Sequence, residues 1–257
     1  MPAQPRGLLE GKRAVISGAG QGIGRETARV LSREGAKVAL IDIDSAAADE
    51  TAADVRGEGG TALVLVADVT REAEVEEAVG IAVAAWQGLD IVIGNAAVQL
   101  TGEDDRVDRM HLEVWQRTID VNLTGMFLVC KHGIRALLES GGGAVVCLGS
   151  PTGQYGCSPG LDAYSASKAG VHGLVRVMAA DYGDLGIRVN GVLPGYTLTR
   201  MSEYMSPEEH ADLLRTIPMR RAGTPAEVAE VIAFLASDQA PYVTGAFWAA
   251  DGGMTAV

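Results

Sequence analysis

The 257-residue chain is poor in cysteine, in basic side chains and in long apolar runs. Its cysteines, Cys130, Cys147 and Cys157, are odd in number and widely spaced, which fits neither a disulfide framework nor a zinc site. A reducing, cytoplasmic setting is the plain inference, and no metal is expected. No apolar stretch approaches the roughly 20 residues that span a bilayer. Met1 to Glu10 is short, proline-containing and not apolar, so no signal peptide is expected there. Lysine and arginine number 21 against 33 acidic residues, and the resulting net charge of −12 argues against nucleic acid and anionic membrane as partners.

What the chain does have is core-forming material, 47% hydrophobic, arranged in a repeating order. Short Val/Ile/Leu/Ala runs at 12–17, 37–42, 62–67, 90–94, 143–149, 187–193 and 244–249 predict strands. Helical patterns fall between them near 22–34, 45–56, 71–86, 113–139, 162–184 and 225–236. Near-continuous apolar strands are expected where both faces are covered. The alternation therefore predicts an α/β fold: a doubly wound parallel sheet of about seven strands, with helices on both faces. No linker, repeat or low-complexity tract divides the chain, so residues 1–257 are expected to form one domain. The stretch 195–224, with glycine, methionine and two prolines, breaks the rhythm, and an irregular segment of that length is expected to be functional.

The most informative pair is Tyr164 and Lys168, four residues apart in the helix expected at 162–184. That spacing puts the phenol and the ammonium on one face, one turn apart. A neighbouring cation favours phenolate, so Lys168 is expected to draw the tyrosine down from a free pKa near ~10 towards working pH. At the other end, Ser17-Gly18-Ala19-Gly20-Gln21-Gly22-Ile23-Gly24 lies between the first strand and the first helix. Glycines at such a turn let backbone approach a pyrophosphate, and the helix N-terminus offers free N–H groups. Asp42 closes the second strand, 18 residues past Gly24. An acid there accepts hydrogen bonds from ribose hydroxyls and repels a 2′-phosphate, which favours NAD over NADP.

Taken together these motifs resemble the short-chain dehydrogenase/reductase family in its compact, single-domain Rossmann form, over roughly residues 10–255. The spacing Gly18-x-x-x-Gly22-x-Gly24 is similar to the family's glycine pattern, with Ser17 where threonine is more usual. Asp68-Val69 resembles its adenine-contacting pair. Gly94-Asn95-Ala96-Ala97 resembles its Asn-Ala-Gly motif, with Ala97 in place of glycine. Asn122, Ser150, Tyr164 and Lys168 match its catalytic tetrad. Pro194-Gly195 followed by Thr199 matches the motif that holds the nicotinamide carboxamide, and Thr244-Gly245 and Asp251-Gly252-Gly253 match its closing strand and turn.

The resemblance implies hydride transfer between a nicotinamide cofactor, here NAD, and a secondary alcohol or carbonyl carbon. Tyr164 would be base in oxidation and acid in reduction. Lys168 would tune it and bond the nicotinamide ribose, Ser150 would donate to the substrate oxygen, and Asn122 would anchor a water linking Lys168 to solvent. Cofactor contacts are implied for Gly18, Gln21, Gly22, Ile23, Gly24, Asp42, Asp68, Val69, Asn95, Ala96, Tyr164, Lys168, Pro194, Gly195, Thr197 and Thr199. Gln154, Tyr155, Cys157, Tyr196 and Arg200 are the candidate substrate residues, under a cap formed by 195–224 and beside the polar loop 99–112. Such polar residues favour a sugar, sugar acid or polyol. Met201, Met205 and Met219, in a chain only 5% aromatic, equally suit an apolar ketone or acyl chain. A 3-oxoacyl reductase and a steroid or cyclic alcohol dehydrogenase are the alternatives, with a non-catalytic dinucleotide sensor as a more distant one. By analogy a homotetramer, or a dimer, is expected to form through helices 113–139 and 162–184, with Gly125, Gly133, Ala136, Gly170, Gly173 and Ala179 allowing close packing.

Overall fold

The structure, a computed structural model, describes residues 7–156, 158–202 and 206–256. Seven strands form one sheet: β1 (Arg13–Ser17), β2 (Lys37–Asp42), β3 (Thr61–Val66), β4 (Ile91–Gly94), β5 (Gly143–Leu148), β6 (Ile187–Pro194) and β7 (Phe247–Ala250). All pairings are parallel and the order is β3-β2-β1-β4-β5-β6-β7. Successive side chains of a strand point to opposite faces, and β1 shows the result. Val15 enters one core; Ala14 and Ile16 enter the other. The first core is closed by α3 (Glu72–Trp86), α5 (Gly125–Glu139) and α6 (Asp162–Tyr182). The second is closed by α1 (Gly22–Arg33), α2 (Ser45–Gly57) and α8 (Pro225–Ala236). The expected doubly wound α/β sheet is what forms. Among the described residues no helix is long and apolar enough to cross a membrane.

The chain winds outward in opposite directions from β1 and β4. At that reversal the connections diverge and leave a crevice beyond the carboxyl ends of the strands. Gly18, Asp42, Asp68, Asn95, Ser150 and Gly195 all follow directly on strand ends or close them, so the topology alone carries them to one edge.

Three elements differ from expectation. The long helix expected at 113–139 is divided: α4 (Leu112–Ile119), a π-helical turn (Asp120–Thr124), then α5. Single π turns inside helices recur at functional sites, and this one contains Asn122. The last strand starts at Phe247, not 244, because Gly245 sits at φ 70° and the Asn190 side chain bonds Val243 O and Ala246 N–H, holding a turn there. Inside the irregular segment 195–224 a further helix forms, α7 (Pro207–Thr216). Ser206 and Glu209 make a reciprocal capping box with proline at the first helical position, a start signal that was present in the sequence.

The small residues expected to pack between subunits are mostly used inside the fold. A Cβ on Gly125, Gly133 or Gly170 would lie 2.7, 2.6 or 2.6 Å from Val69, Val92 or Leu123 respectively. Ala136 and Ala179 belong to the core, and only Gly173 faces open space.

Candidate active site

The crevice is a cleft of about 1220 Å³ running from Asp42 and Asp68 at one end to Ser150, Tyr164 and Lys168. Its floor is the glycine loop after β1. Gly18 takes φ 63°, and a Cβ there would lie 2.7 Å from Ala96 Cα, so glycine is required twice over. Asn95 pins this loop: its Nδ2 donates to Ser17 O (3.0 Å) and Gly18 O (2.8 Å). The Ser17 hydroxyl accepts from the Asn95 and Ala96 N–H groups (3.0 and 3.2 Å). Asn95 is thus a brace as well as a lining residue. Gly24 differs from its expected role. It does not line the cleft; a Cβ there would meet Gly18 O at 2.0 Å, so it lets α1 start directly against the loop.

These residues fit a dinucleotide. Gln21 at the N-cap of α1 makes no side-chain cap and the first turn has no acid, so the helix's leading N–H groups remain for an anion. Asp42 accepts from Gly20 N–H (2.8 Å) and Asp44 N–H (3.0 Å) and still lines the cleft, with lone pairs left for hydroxyl donors. The cap of α2 is Asp44, which accepts from Ala47 N–H, so Asp42 is not spent on it. Asp68 is steadied by Thr70 N–H and hydroxyl (2.9 and 2.8 Å), and Val69 lies beside it. Gln21, Gly22, Ile23, Ala96, Pro194, Gly195, Thr197 and Thr199 line the same cleft.

At the far end α6 presents Tyr164 and Lys168 on one face, as their spacing requires. The Tyr164 phenol and Ser150 line the same end of the cleft, and the Lys168 ammonium lies 5.7 Å from the centre of the phenol ring. Lys168 is 2% exposed, and its Nζ donates to Leu148 O at 2.8 Å. The electrostatics depart from expectation. Burial pushes the phenol up to about 12 and outweighs the Ser150 side chain, which pulls the other way. Burial also draws Lys168 down to about 8. Protein groups by themselves therefore hold Tyr164 as a protonated acid near neutral pH, and the lysine does not make it a phenolate. The side chain of Tyr164 is only half-buried, with part of its surface on the cleft.

Asn122 is 0% exposed and does not line the cleft. Its amide exchanges two hydrogen bonds with Val98 (2.7 and 2.8 Å) and donates to the Ser167 hydroxyl (3.1 Å). Ser167 in turn donates to Tyr164 O (2.7 Å). Asn122 is a positioning residue that ties the end of β4 to the turn carrying the phenol.

Of the expected substrate residues, Tyr196 and Arg200 line the cleft. Gln154 and Tyr155 do not: the 3-10 turn Pro151–Gly153 carries them outward, and both are exposed. Cys157 and Met205 lie outside the described residues, and Met219 is exposed. Asp104, in the polar loop 99–112, and Leu213, in the segment 195–224, also line the cleft, as do Val98, Pro151, Leu161 and Met254, which were not anticipated. The Ser206–Glu209 capping signal would have placed Leu213 on a helix; nothing local marks the others. Among the described residues no group of His, Cys, Asp and Glu is arranged to hold a metal.

A family model described as enoyl-(acyl carrier protein) reductase matches residues 18–255. The chain is 41% identical to 2-(S)-hydroxypropyl-CoM dehydrogenase 3 of Xanthobacter autotrophicus, covering 97% of this chain and 98% of that one. It is 37% identical to cyclohexanol dehydrogenase of Acinetobacter sp., covering 95% of each. The crystal structure of carveol dehydrogenase from Mycobacterium avium in complex with NAD is similar at a TM-score of 0.92 and 31% identity, over 98% of this chain and all of that one.

Proposed function

The chain belongs to the short-chain dehydrogenase/reductase family, and on that premise we propose that it is an NAD-dependent oxidoreductase of compact cyclic secondary alcohols and their ketones. One observation carries the reading: a phenol and a serine hydroxyl together at the end of a glycine-floored crevice whose other end is acidic. When bound, the dinucleotide supplies the carbon that gives or takes hydride. The chain's own groups handle the oxygen. Ser150 donates a hydrogen bond to it, stabilising the charge that develops there. Tyr164 gives it a proton in reduction and takes that proton in oxidation. Lys168 stands on the same face of α6, one turn on.

The lining of the cleft supports this substrate class. Gln154 and Tyr155, which favoured a polyol, lie outside it, while Val98, Pro151, Leu161, Leu213 and Met254 line it. A ring alcohol suits that lining, and two of the relatives are named for cyclohexanol and carveol. Gln99, Thr101 and Arg200 also line the cleft and keep a sugar, sugar acid or polyol as the second reading. We take 195–224 as the cap over the substrate. The test is nicotinamide absorbance with cyclic alcohols, polyols, hydroxysteroids and 3-oxoacyl thioesters, each with NAD and NADP. Cyclic alcohols should turn over fastest with NAD. Preference for polyols moves the second reading to first place, and no turnover on any substrate returns the non-catalytic sensor.

The choice of NAD rests on Asp42. Asp42→Asn keeps one acceptor for the glycine loop and removes the charge. It should cut the ratio of kcat/KM for NAD over NADP by about 10–100-fold, mainly through weaker NAD and better tolerated NADP. A wild type that already prefers NADP sinks the assignment. The cytoplasmic placement is supported by Cys130 and Cys147, which are buried free thiols. A homotetramer is supported by exposed apolar side chains on the outer helices, Trp115, Phe127, Leu138 and Val177. Light scattering behind size-exclusion chromatography should read four chain masses; one chain mass rules the assembly out.

A further inference from the structure

We propose that Asp104, in the loop between β4 and α4, is a positioning residue for Tyr164. Helix α6 lacks a cap of its own. Leu161 stands at its N-cap and offers no side-chain acceptor. The leading N–H groups of a helix must find partners from somewhere, and here they find Asp104, about sixty residues earlier in the chain. One carboxylate oxygen accepts from Ala163 N–H (3.1 Å), the other from Tyr164 N–H (2.9 Å). Asp104 is 7% exposed, and no lysine or arginine pairs with it among the described residues. The two N–H groups and the positive end of the helix are what its charge faces. The clasp is reciprocal: Val107 N–H donates to Asp162 Oδ2 at 2.9 Å. The loop side is braced too, since Asp104 N–H donates to Leu100 O at 2.7 Å.

The consequence is specific to one turn of the helix. Lys168 is anchored separately, through Nζ to Leu148 O. Tyr164 sits in the turn that Asp104 holds. The same loop lines the cleft through Gln99, Thr101 and Asp104 itself. Loop and phenol are therefore one mechanical unit, and the loop's shape sets where the phenol stands against Ser150. This builds on the function proposed above, but part of its test does not.

Asp104→Ala removes both acceptors. Hydrogen exchange of the segment 161–167 should accelerate by about tenfold or more at the first-turn amides, whether or not any substrate turns over. With a cyclic alcohol, kcat should fall about thirty- to a hundredfold while the Kd for NAD stays at the wild-type value. Asp104→Asn keeps one acceptor, and its kcat should lie between the two. Wild-type exchange in the Ala variant overturns the proposal. So does wild-type kcat in it, or a parallel fall of kcat and NAD affinity in both variants. If the Ala variant does not fold, the Asn variant decides: reduced kcat at unchanged NAD affinity supports the clasp, and unchanged kcat ends it. An inactive wild type removes the functional reading alone, because the exchange measurement stands without it.

Discussion

Replacing Tyr164 with phenylalanine is expected to lower kcat by roughly 10²–10⁴-fold and to leave NAD affinity unchanged. The ring stays, so the packing of α6 against the cleft stays. What goes is the hydroxyl that shares this end of the cleft with Ser150. The sign of the pH dependence follows from burial. A phenol held up at about 12 is protonated throughout the neutral range, so it is ready as an acid and scarce as a base. Oxidation by the wild type should rise with pH, by up to about tenfold per unit well below that value, while reduction should be flat near neutrality. Tyr164→Phe should lose the rise in oxidation as well as the rate. Stopped-flow and steady-state profiles in both directions check this. A phenylalanine variant with wild-type turnover would assign the proton to another group.

Replacing Lys168 with methionine should make the protein more stable and much less active. Lys168 is among the largest fully buried side chains, and burial lowers it from 10.5 to about 8. Carrying that charge in the interior costs roughly 3 kcal/mol. Methionine has a similar shape and no charge, but it leaves Leu148 O without the lysine's hydrogen bond, a loss of about 1–2 kcal/mol. Desolvation wins, with a net gain on the order of 1–2 kcal/mol and a Tm higher by about 3–6 °C at pH 7. The linkage has a definite window. Between about 8 and 10.5 the unfolded lysine binds the proton that the folded one has released, so wild-type stability gains from this group as pH rises through that range. Tyr164 opposes it only above its ordinary 10.0, where the folded phenol still holds its proton. The methionine variant should lack the gain between 8 and 10, and its kcat should fall about a hundredfold or more. Calorimetry across pH tests the first part. A lower Tm at pH 7 means that lysine stabilises the fold and that the order of the two effects is reversed.

Much of this was legible in the residues because it is governed by short-range periodicity. Strand and helix alternation predicts a parallel sheet, and the parallel sheet carries Gly18, Asp42, Asn95 and Ser150 to one edge. A four-residue spacing on a helix puts Tyr164 and Lys168 on one face whatever surrounds them. The start of α7 was equally readable, in Ser206-Pro207 and Glu209. Gln154 and Tyr155 were misplaced for the opposite reason. A polar residue near a site in sequence faces inward or outward according to a single turn, and the 3-10 turn at Pro151–Gly153 sends both out.

Fold, cofactor crevice and the phenol–lysine face are thus properties of the sequence, since local spacing and one topological reversal are enough to produce them. The charge state of that face is a property of the tertiary structure. Proximity of a cation argued for a phenolate; burial, which depends on everything packed around α6, raises the phenol and lowers the lysine instead. The same holds for Asn122 and Asp104. Nothing beside them in the chain says that one braces Tyr164 through Ser167 or that the other caps the helix it stands on. Asn122 donates to a hydroxyl that folding brings from 45 residues away, Asp104 accepts from backbone N–H groups 59 and 60 residues away, and only the packed molecule leaves those groups without water.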